Sequence, residues 1–517
     1  MSRSSSDAAS DAEERTGVVS VVLVNYKGAE DTVTCLRYFD EIDWPSDRLE
    51  LIVVDNDSGD GSVERIRAAV PHARVIESGG NLGFAGGCNL GVEAATGEWV
   101  GFINNDARPG AGWVRAAVEA MESDSSIGSI ASKVLDWEGN LVDYVDGSLT
   151  WYGMGYKREA ERPDSAEYDV PKDVLFGTGA AMFMPTAVFR EVGGFDERFF
   201  MFYEDVDLGW RLNLLGYRVR YVPGSVAYHK HHVTMKKFGD YRESYLLERN
   251  ALLSMYKNLD DESLAKALPA AMALAVRRSV ARTGTDAAML DLQKRPGGDD
   301  VGTVEVQKMA LTGPLAVDYL VEQLAHGLAD VRAELQSRRR RSDRELFPLF
   351  RHAIEPAYAI EGYNEGHDAL VEAFGIDRHF VSRQRVLVVT GEPLLEKMAG
   401  PAIRAWEIAR AVAPFADVRL LSTAGVKVTS DEFTVVHSAG PPLKKHTDWA
   451  DVIVFQGFLL EGAPCSSSPA RSSSRTSTTP STSSSSSRRA TSDPTDGLTP
   501  SARPRASSTS SCAAPIS

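Results

Sequence analysis

The stretch FFMFYEDVDLGWR, Phe199 to Arg211, places three carboxylates, Glu204, Asp205 and Asp207, within four positions among large apolar residues. Carboxylates in apolar surroundings are costly unless they bind something or do chemistry. A second acidic spot, NNDA at Asn104–Ala107, lies upstream. One acidic centre can take a proton from an attacking hydroxyl. The other can face a phosphate through a divalent ion. Together they suit an enzyme that moves a sugar from a nucleotide.

Such a transfer must hold base and ribose, neutralise a leaving diphosphate and deprotonate an acceptor. Asp205 is the expected general base, because a carboxyl raised among aromatics accepts a proton near neutral pH. Glu204 binds the acceptor or tunes Asp205. Asp207 and Arg211 are four apart and are expected to pair on a helix, a structural role. The plainer reading of the whole run is an acid-rich helix start favoured by the dipole. Asp106 follows an apolar run and suits Mg²⁺ or Mn²⁺, which take oxygen ligands; the plainer alternative is a turn cap. His229, at the end of RVRYVPGSVAYH, is expected as a further metal ligand or a phosphate donor, with His231 and His232 ranked lower. Tyr26 and Asp55 are placed for ribose and nucleobase, while Asp57 and Ser58 suit a helix cap. The glycine-rich loop Gly79–Gly91 would let backbone approach the donor; Asn81, Gly83 and Asn89 in it, with Asn104 and Asn105, are the expected donor contacts. Gly179 and Trp151 are expected on the acceptor side.

Short valine-rich runs must carry these residues. VVSVVLVNY (Val18–Tyr26), LELIVVDNDS (Leu49–Ser58), ARVIES (Ala73–Ser78) and EWVGFINNDA (Glu98–Ala107) read as buried parallel strands alternating with helices. That alternation predicts an α/β sheet with right-handed crossovers. Ligands of such sheets bind beyond the carboxyl ends of strands, where Asn25–Tyr26, Asp55–Ser58 and Asn104–Asp106 fall. VLFGTGAAMFMP (Val174–Pro185) reads as a further strand, and Tyr241–Leu259 as a helix.

The expected organisation is a disordered leader (1–16), a nucleotide-sugar domain (17–260), a mainly helical region (261–383), an incomplete Rossmann-like segment (384–463) and a low-complexity tail (464–517). The tail is rich in Ser, Thr, Arg and Pro. It reads as a disordered linker or as the product of a shifted reading frame, which the gene sequence would decide. Arg338–Arg341 is expected on a solvated helix face; the sharper reading is contact with anionic lipid or a polyanionic acceptor.

A net charge of −16 argues against nonspecific nucleic-acid binding. The four cysteines form no metal-ligand pair, and a reducing cytoplasm fits. No apolar run reaches the roughly 18–20 residues that span a bilayer. Leu264–Val276, followed by Arg277, Arg278 and Arg282, belongs in a core or lies on the inner face of a membrane. Two other classes compete with sugar transfer. A nucleotidyltransferase would want a basic triphosphate loop after the first strand, where only Lys27 and Gly28 stand. A non-catalytic scaffold would bind partners through the helical middle.

In order along the chain, VVLVNY, LIVVDNDS, NLGFAGGCNLG, FINNDA, GTGAAMFMP, GGFDERFFMFYEDVDLGWR, His229 and ERN at Glu248–Asn250 resemble the family 2 glycosyltransferases of GT-A fold. The pattern is most similar to the rhamnosyl- and galactofuranosyltransferase branch, whose members build bacterial cell-surface polysaccharides. The resemblance covers Val18 to Leu259. It implies inversion at the anomeric carbon, a nucleotide-sugar donor (dTDP-, UDP- or GDP-linked) and a glycan or lipid-linked acceptor. It also implies Asp106 at the metal, Asp205 as base and Asp55 at the nucleobase. The metal motif departs from the family by reading Asn-Asn-Asp. Arg385–Phe458 resembles the N-terminal half of a family 4 glycosyltransferase of GT-B fold through TGEPLLEKMAGPAIRAWEIARAVA. The half that mainly holds the donor is missing there, which implies that this segment transfers nothing by itself.

Overall fold

The computed structural model describes residues 15–230, 239–284, 306–357, 363–380, 385–440, 442–450, 452–455 and 514–515. The expected leader, the tail, His231 and His232 lie outside these residues, apart from 15–16 and 514–515. The chain divides into two compact units, Met1–Val381 with Ser511–Ser517, and Ser382–Ser510.

The first unit is built on one mixed sheet. Its leading strands are β1 (Arg15–Asn25), β2 (Leu49–Asp55), β3 (Arg74–Glu77) and β4 (Gly97–Ile103). β1 pairs in parallel with both β2 and β4, and β2 with β3. The helices between them are α1 (Ala29–Arg37), α2 (Ser62–Ala69) and α3 (Gly83–Glu93). Val19, Val21, Val22 and Leu23 of β1 are buried, as a run covered on both faces must be. The α/β expectation is met.

The glycine-rich stretch departs from its reading as a loop: Gly83–Glu93 is helix α3. Its glycines serve close packing on the sheet. A Cβ at Gly91 would lie 2.4 Å from Val22 Cγ1, and one at Gly87 3.0 Å from Val24. Only the short segment before α3 remains as loop.

The sheet continues through β5 (Ala107–Pro109), β6 (Ile127–Asp136), β7 (Val142–Tyr144), β10 (Lys172–Val174), β11 (Ala181–Pro185) and β12 (Arg218–His229), while β8 (Ser148–Leu149) and β9 (Gly155–Lys157) form a hairpin outside it. The strand order is β10-β12-β6-β11-β4-β1-β2-β3, with β5 on β12 and β7 on β6; β8 and β9 stand apart in a smaller sheet. β11 runs antiparallel between β4 and β6, which makes the sheet mixed. Three helices pack around these strands: α4 (Trp113–Ser123), α5 (Thr186–Glu191) and α6 (Glu204–Leu214).

The helical stretch follows: α7 (Asp240–Asn258), α8 (Asp261–Thr283), α9 (Thr312–Ala325), α10 (Leu328–Ser337), α11 (Asp343–Phe350), α12 (Tyr363–Phe374) and α13 (Ile376–His379). It shares one hydrophobic core with the sheet: Leu274, Leu320 and Phe347 belong to the same cluster as Val22 and Phe102. The apolar run Leu264–Val276 lies inside α8, with Ala267, Ala270, Ala271 and Leu274 buried. No helix among the described residues is long and apolar enough to cross a membrane.

Arg338–Arg341 departs from its reading as a helix face: it forms the connector after α10. The backbone N–H groups of Arg340 and Arg341 donate to the Leu214 carbonyl at the end of α6, and Arg341 donates to Asn213 Oδ1. Arg339 pairs with Asp343 at 2.8 Å. These contacts fasten α6 to the helical stretch.

The second unit holds a four-stranded parallel sheet of order β15-β14-β13-β16. Its strands are β13 (Arg385–Thr390), β14 (Asp417–Ser422), β15 (Thr434–His437) and β16 (Val452–Phe455), with helices α14 (Gly400–Val412) and α15 (Leu443–Trp449).

Candidate active site

The carboxyl ends of β1, β2 and β4 form a polar rim held by buried amides. Asn25 ends β1; its Nδ2 donates to Asp55 Oδ2 at 2.7 Å, and its Oδ1 accepts from Thr32. Asp55 also accepts from the Ser58 hydroxyl and the Ser58 N–H. Asp55, expected at the nucleobase, is therefore buried with both oxygens engaged by its own loop. It shapes the rim from within. Tyr26 is half-buried, with Lys27 5.1 Å from its ring centre. Asn105 Nδ2 donates to Thr32, tying β4 to α1. Asn104 sits half-buried beside it.

Asn56 organises the loop before α3. Its Nδ2 donates to Asn81 Oδ1 and the Gly83 carbonyl, and its Oδ1 accepts from the Leu82 N–H. Gly83 has φ +71°, and a Cβ there would lie 2.2 Å from the Phe200 carbonyl oxygen. Asn89 leaves the expected donor set: both its amide atoms bond the backbone of Phe195, so it fixes the turn before the acidic run.

Phe200, Phe202 and Tyr203 all have positive φ (62°, 66° and 72°), although none is glycine. Each such residue costs on the order of 1–3 kcal/mol, so surrounding contacts must impose the loop. The Phe200 carbonyl accepts the first N–H groups of α3, from Phe84 and Ala85. The loop then delivers Glu204 and Asp205 as the first residues of α6.

Asp205 is buried. Its Oδ2 accepts from the Gly179 N–H at 2.8 Å and its Oδ1 from the Val206 N–H at 2.7 Å. Burial pushes its carboxyl above the usual range, and these N–H groups work against that. Glu204 lies beside it; a Cβ on Gly179 would be 3.6 Å from both Asp205 Oδ2 and Glu204 Oε1. Glu204 Oε2 is buried without a hydrogen-bond partner among the described residues. Burial and the neighbouring Asp205 push its carboxyl well above the ordinary range. Gly179, expected near the acceptor, thus borders both carboxyls and holds one of them.

Asp207 is different. Arg211 Nε lies 2.7 Å from it, Lys257 Nζ 2.9 Å away, and Asn258 donates to Oδ1. The predicted four-residue pair forms, and Lys257 of α7 extends it to Asp196 at 2.6 Å.

The second centre joins β5, β7, β9 and β12. His229 Nε2 lies 3.1 Å from Asp106 Oδ1, and its Nδ1 lies 2.9 Å from Asp143 Oδ2. Asp143 is in turn paired with Lys157 at 2.9 Å, both side chains buried. Burial opposes a charge on His229, but Asp106 and Asp143 outweigh it and hold its pKa at about 9. Burial likewise opposes the Asp106 charge, yet His229 and Lys230 bring its carboxyl below the usual range. Asp143 and Lys157 were not legible in the sequence. Lys157 also acts on the charge of Asp205, so the two centres share one electrostatic environment.

A divalent ion fits this second centre in part, provided it displaces the Nε2 proton that Asp106 and Asp143 favour on His229. Two ligands side by side on an ion at about 2.1 Å lie about 3 Å apart, near the 3.1 Å between His229 Nε2 and Asp106 Oδ1. A carboxylate on the other ring nitrogen, here Asp143, is the usual support of a metal-bound histidine. No group of three or more His, Cys, Asp or Glu side chains is gathered for a metal among the described residues. Diphosphate oxygens and water would have to complete such a shell, as is usual for Mg²⁺.

Trp151 leaves the acceptor side. It is 0% exposed, its Nε1 bonds His367 of α12 and its backbone N–H bonds Ala353. A large aromatic that would suit a sugar is here part of the core.

Residues 20–170 match the family described as Glycosyl transferase family 2, and residues 99–282 match Glycosyl transferase family group 2. An N-acetylglucosaminyl-diphospho-decaprenol L-rhamnosyltransferase of Mycobacterium tuberculosis is 27% identical over 249 residues, 42% of this chain and 78% of the relative. A pre-mycofactocin glycosyltransferase of the same species is 30% identical over 42% of this chain and 43% of its own length. Among solved structures, the mannosyltransferase PcManGT from Pyrobaculum calidifontis, in complex with GDP-Man and Mn²⁺, is 19% identical at a TM-score of 0.37, covering 64% of this chain and 89% of that one. The family matches make this part of the chain a glycosyltransferase domain, and the match over residues 99–282 contains both carboxylate centres.

Proposed function

We propose that the chain is an inverting sugar transferase that uses a nucleotide sugar and an acceptor hydroxyl of a glycan or lipid-linked glycan, with Asp205 as general base. The observation that carries this reading is the state of Asp205: a buried carboxylate held by two backbone N–H groups rather than by a cation. Such a group is dry, raised in proton affinity and fixed in direction, as a base for a hydroxyl should be. The mycobacterial relative's name supports a rhamnosyl donor and a lipid-diphosphate-linked acceptor of this kind.

In the proposed reaction the acceptor hydroxyl gives its proton to Asp205 as its oxygen bonds the anomeric carbon. The bond from that carbon to the diphosphate oxygen breaks on the opposite face, and the nucleoside diphosphate leaves with the electron pair. Glu204, whose proton affinity burial and the neighbouring Asp205 raise, borders the acceptor. Asp106 and His229 would hold Mg²⁺ or Mn²⁺, which as a Lewis acid offsets the charge of the diphosphate. Asp143 and Lys157 keep His229 oriented. Asn81 and Gly83, with Tyr26, Asn104 and Asn105, form the donor side. The second unit, by its resemblance to a GT-B half, contributes no transfer of its own.

The test is hydrolysis and transfer with UDP-, dTDP- and GDP-sugars, each with Mg²⁺ or Mn²⁺. Turnover of one class supports the reading. Absence of turnover and of binding across all three contradicts it and favours a scaffold.

A further inference from the structure

The loop that delivers Asp205 is held from outside the sheet. Asn250, at the middle of α7 and 0% exposed, points its amide into the loop. Its Nδ2 lies 2.7 Å from the Phe202 carbonyl, 2.9 Å from that of Met201 and 3.2 Å from that of Phe199. The intervening Phe200 carbonyl is the one that caps α3. Four successive carbonyls are thus shared between Asn250 and the helix that follows the donor-side loop. Arg249 braces Asn250: its Nε donates to Asn250 Oδ1, and its guanidinium donates to the carbonyls of Phe199 and Arg198. The Arg249 guanidinium lies 4.5 Å from the Tyr319 ring centre on α9, and the Tyr319 hydroxyl donates to the Arg198 carbonyl.

We infer that Asn250, braced by Arg249 and Tyr319, is a positioning residue that sets where Asp205 stands relative to the donor-side loop. This rests on the reading of Asp205 as base. Backbone at positive φ does not hold itself at Phe200, Phe202 and Tyr203; a donor aimed at the Phe199, Met201 and Phe202 carbonyls among them does. The helical stretch therefore acts on the chemistry through α7 and α9.

Asn250→Ala and the milder Tyr319→Phe, which removes one hydroxyl, test this in the full chain. In Asn250→Ala, amide hydrogen exchange should quicken at 199–204 and at 83–86, with β1 and β2 unchanged. The same chains are assayed with dTDP-L-rhamnose, UDP-GlcNAc and GDP-mannose. A displaced base should lower kcat by about 10- to 100-fold with the donor KM within about threefold. Tyr319→Phe should lower kcat by about two- to fivefold. If Asn250→Ala does not fold, Tyr319→Phe carries both measurements. Unchanged exchange at both segments, or kcat and KM moving together, overturns the inference. Asp205→Asn separates the two readings: intact transfer in that variant removes the base assignment, whereas the exchange result stands or falls by itself.

Discussion

Asp205 and Asp207 lie on the first turn of one helix and occupy opposite charge environments. Asp207 is neutralised by Arg211 and Lys257, and its carboxyl is held below the usual range against the cost of burial. Asp205 is bonded by backbone N–H groups, and burial raises it. Two carboxylates whose surroundings drive their proton affinities apart divide the work: one is structural, and the other is left reactive.

Asp207→Asn should therefore act on stability. It leaves Lys257 and Arg211 buried with less compensation, at a cost of about 3–5 kcal/mol. Urea unfolding at neutral pH measures this. Because the folded pKa is lowered, the contribution is full above the unfolded value of about 3.9 and is lost as pH falls through the folded value. The wild-type and variant curves should converge in acid.

Asp143→Asn should weaken metal binding by about 10- to 100-fold, since the residue orients His229 without touching the ion's side of the ring. Calorimetric titration with Mn²⁺ reads this directly. Equal affinity in a folded variant would separate His229 from any metal.

Gly83→Ala should lose both stability and activity. The added Cβ meets the Phe200 carbonyl at 2.2 Å in a backbone of φ +71°. The strain alone is about 1–3 kcal/mol, and relieving it moves the loop that carries Asp205. A variant that melts with the wild type and turns over normally would contradict the coupling of α3 to that loop.

The raised proton affinity of Asp205 predicts the direction of the pH profile. A base must be ionised, so kcat rises as pH climbs through its pKa. The acid limb should then sit above the ordinary carboxyl value of about 3.9. A limb at or below that value would contradict the buried-base assignment.

What was legible in the sequence followed from local periodicity. The valine runs of β1 and β2 read as buried strands, and Asp207 with Arg211 read as a helical pair, because both patterns lie within a few residues. Gly87 and Gly91 misread as loop because glycine marks close helix–sheet approach as well as flexibility; only Val24 and Val22 opposite them decide. Asp143 stood hidden because its partner His229 is 86 positions away. Asn250 lay inside a string that the resemblance had flagged, yet its role depends on carbonyls 48 to 51 positions upstream. Trp151 was drawn to the acceptor by residue type, while its burial came from α12, 216 positions downstream.

The most direct test of the central claim is the transfer rate of Asp205→Asn. The change keeps the size of the side chain but only one of its two bonds, because an amide nitrogen cannot accept from the Gly179 or Val206 N–H, and it removes the proton-accepting charge. Loss of a general base predicts a fall in kcat of about 10²- to 10⁴-fold, with donor binding retained. Transfer within about threefold of wild type would show that Asp205 is not the base.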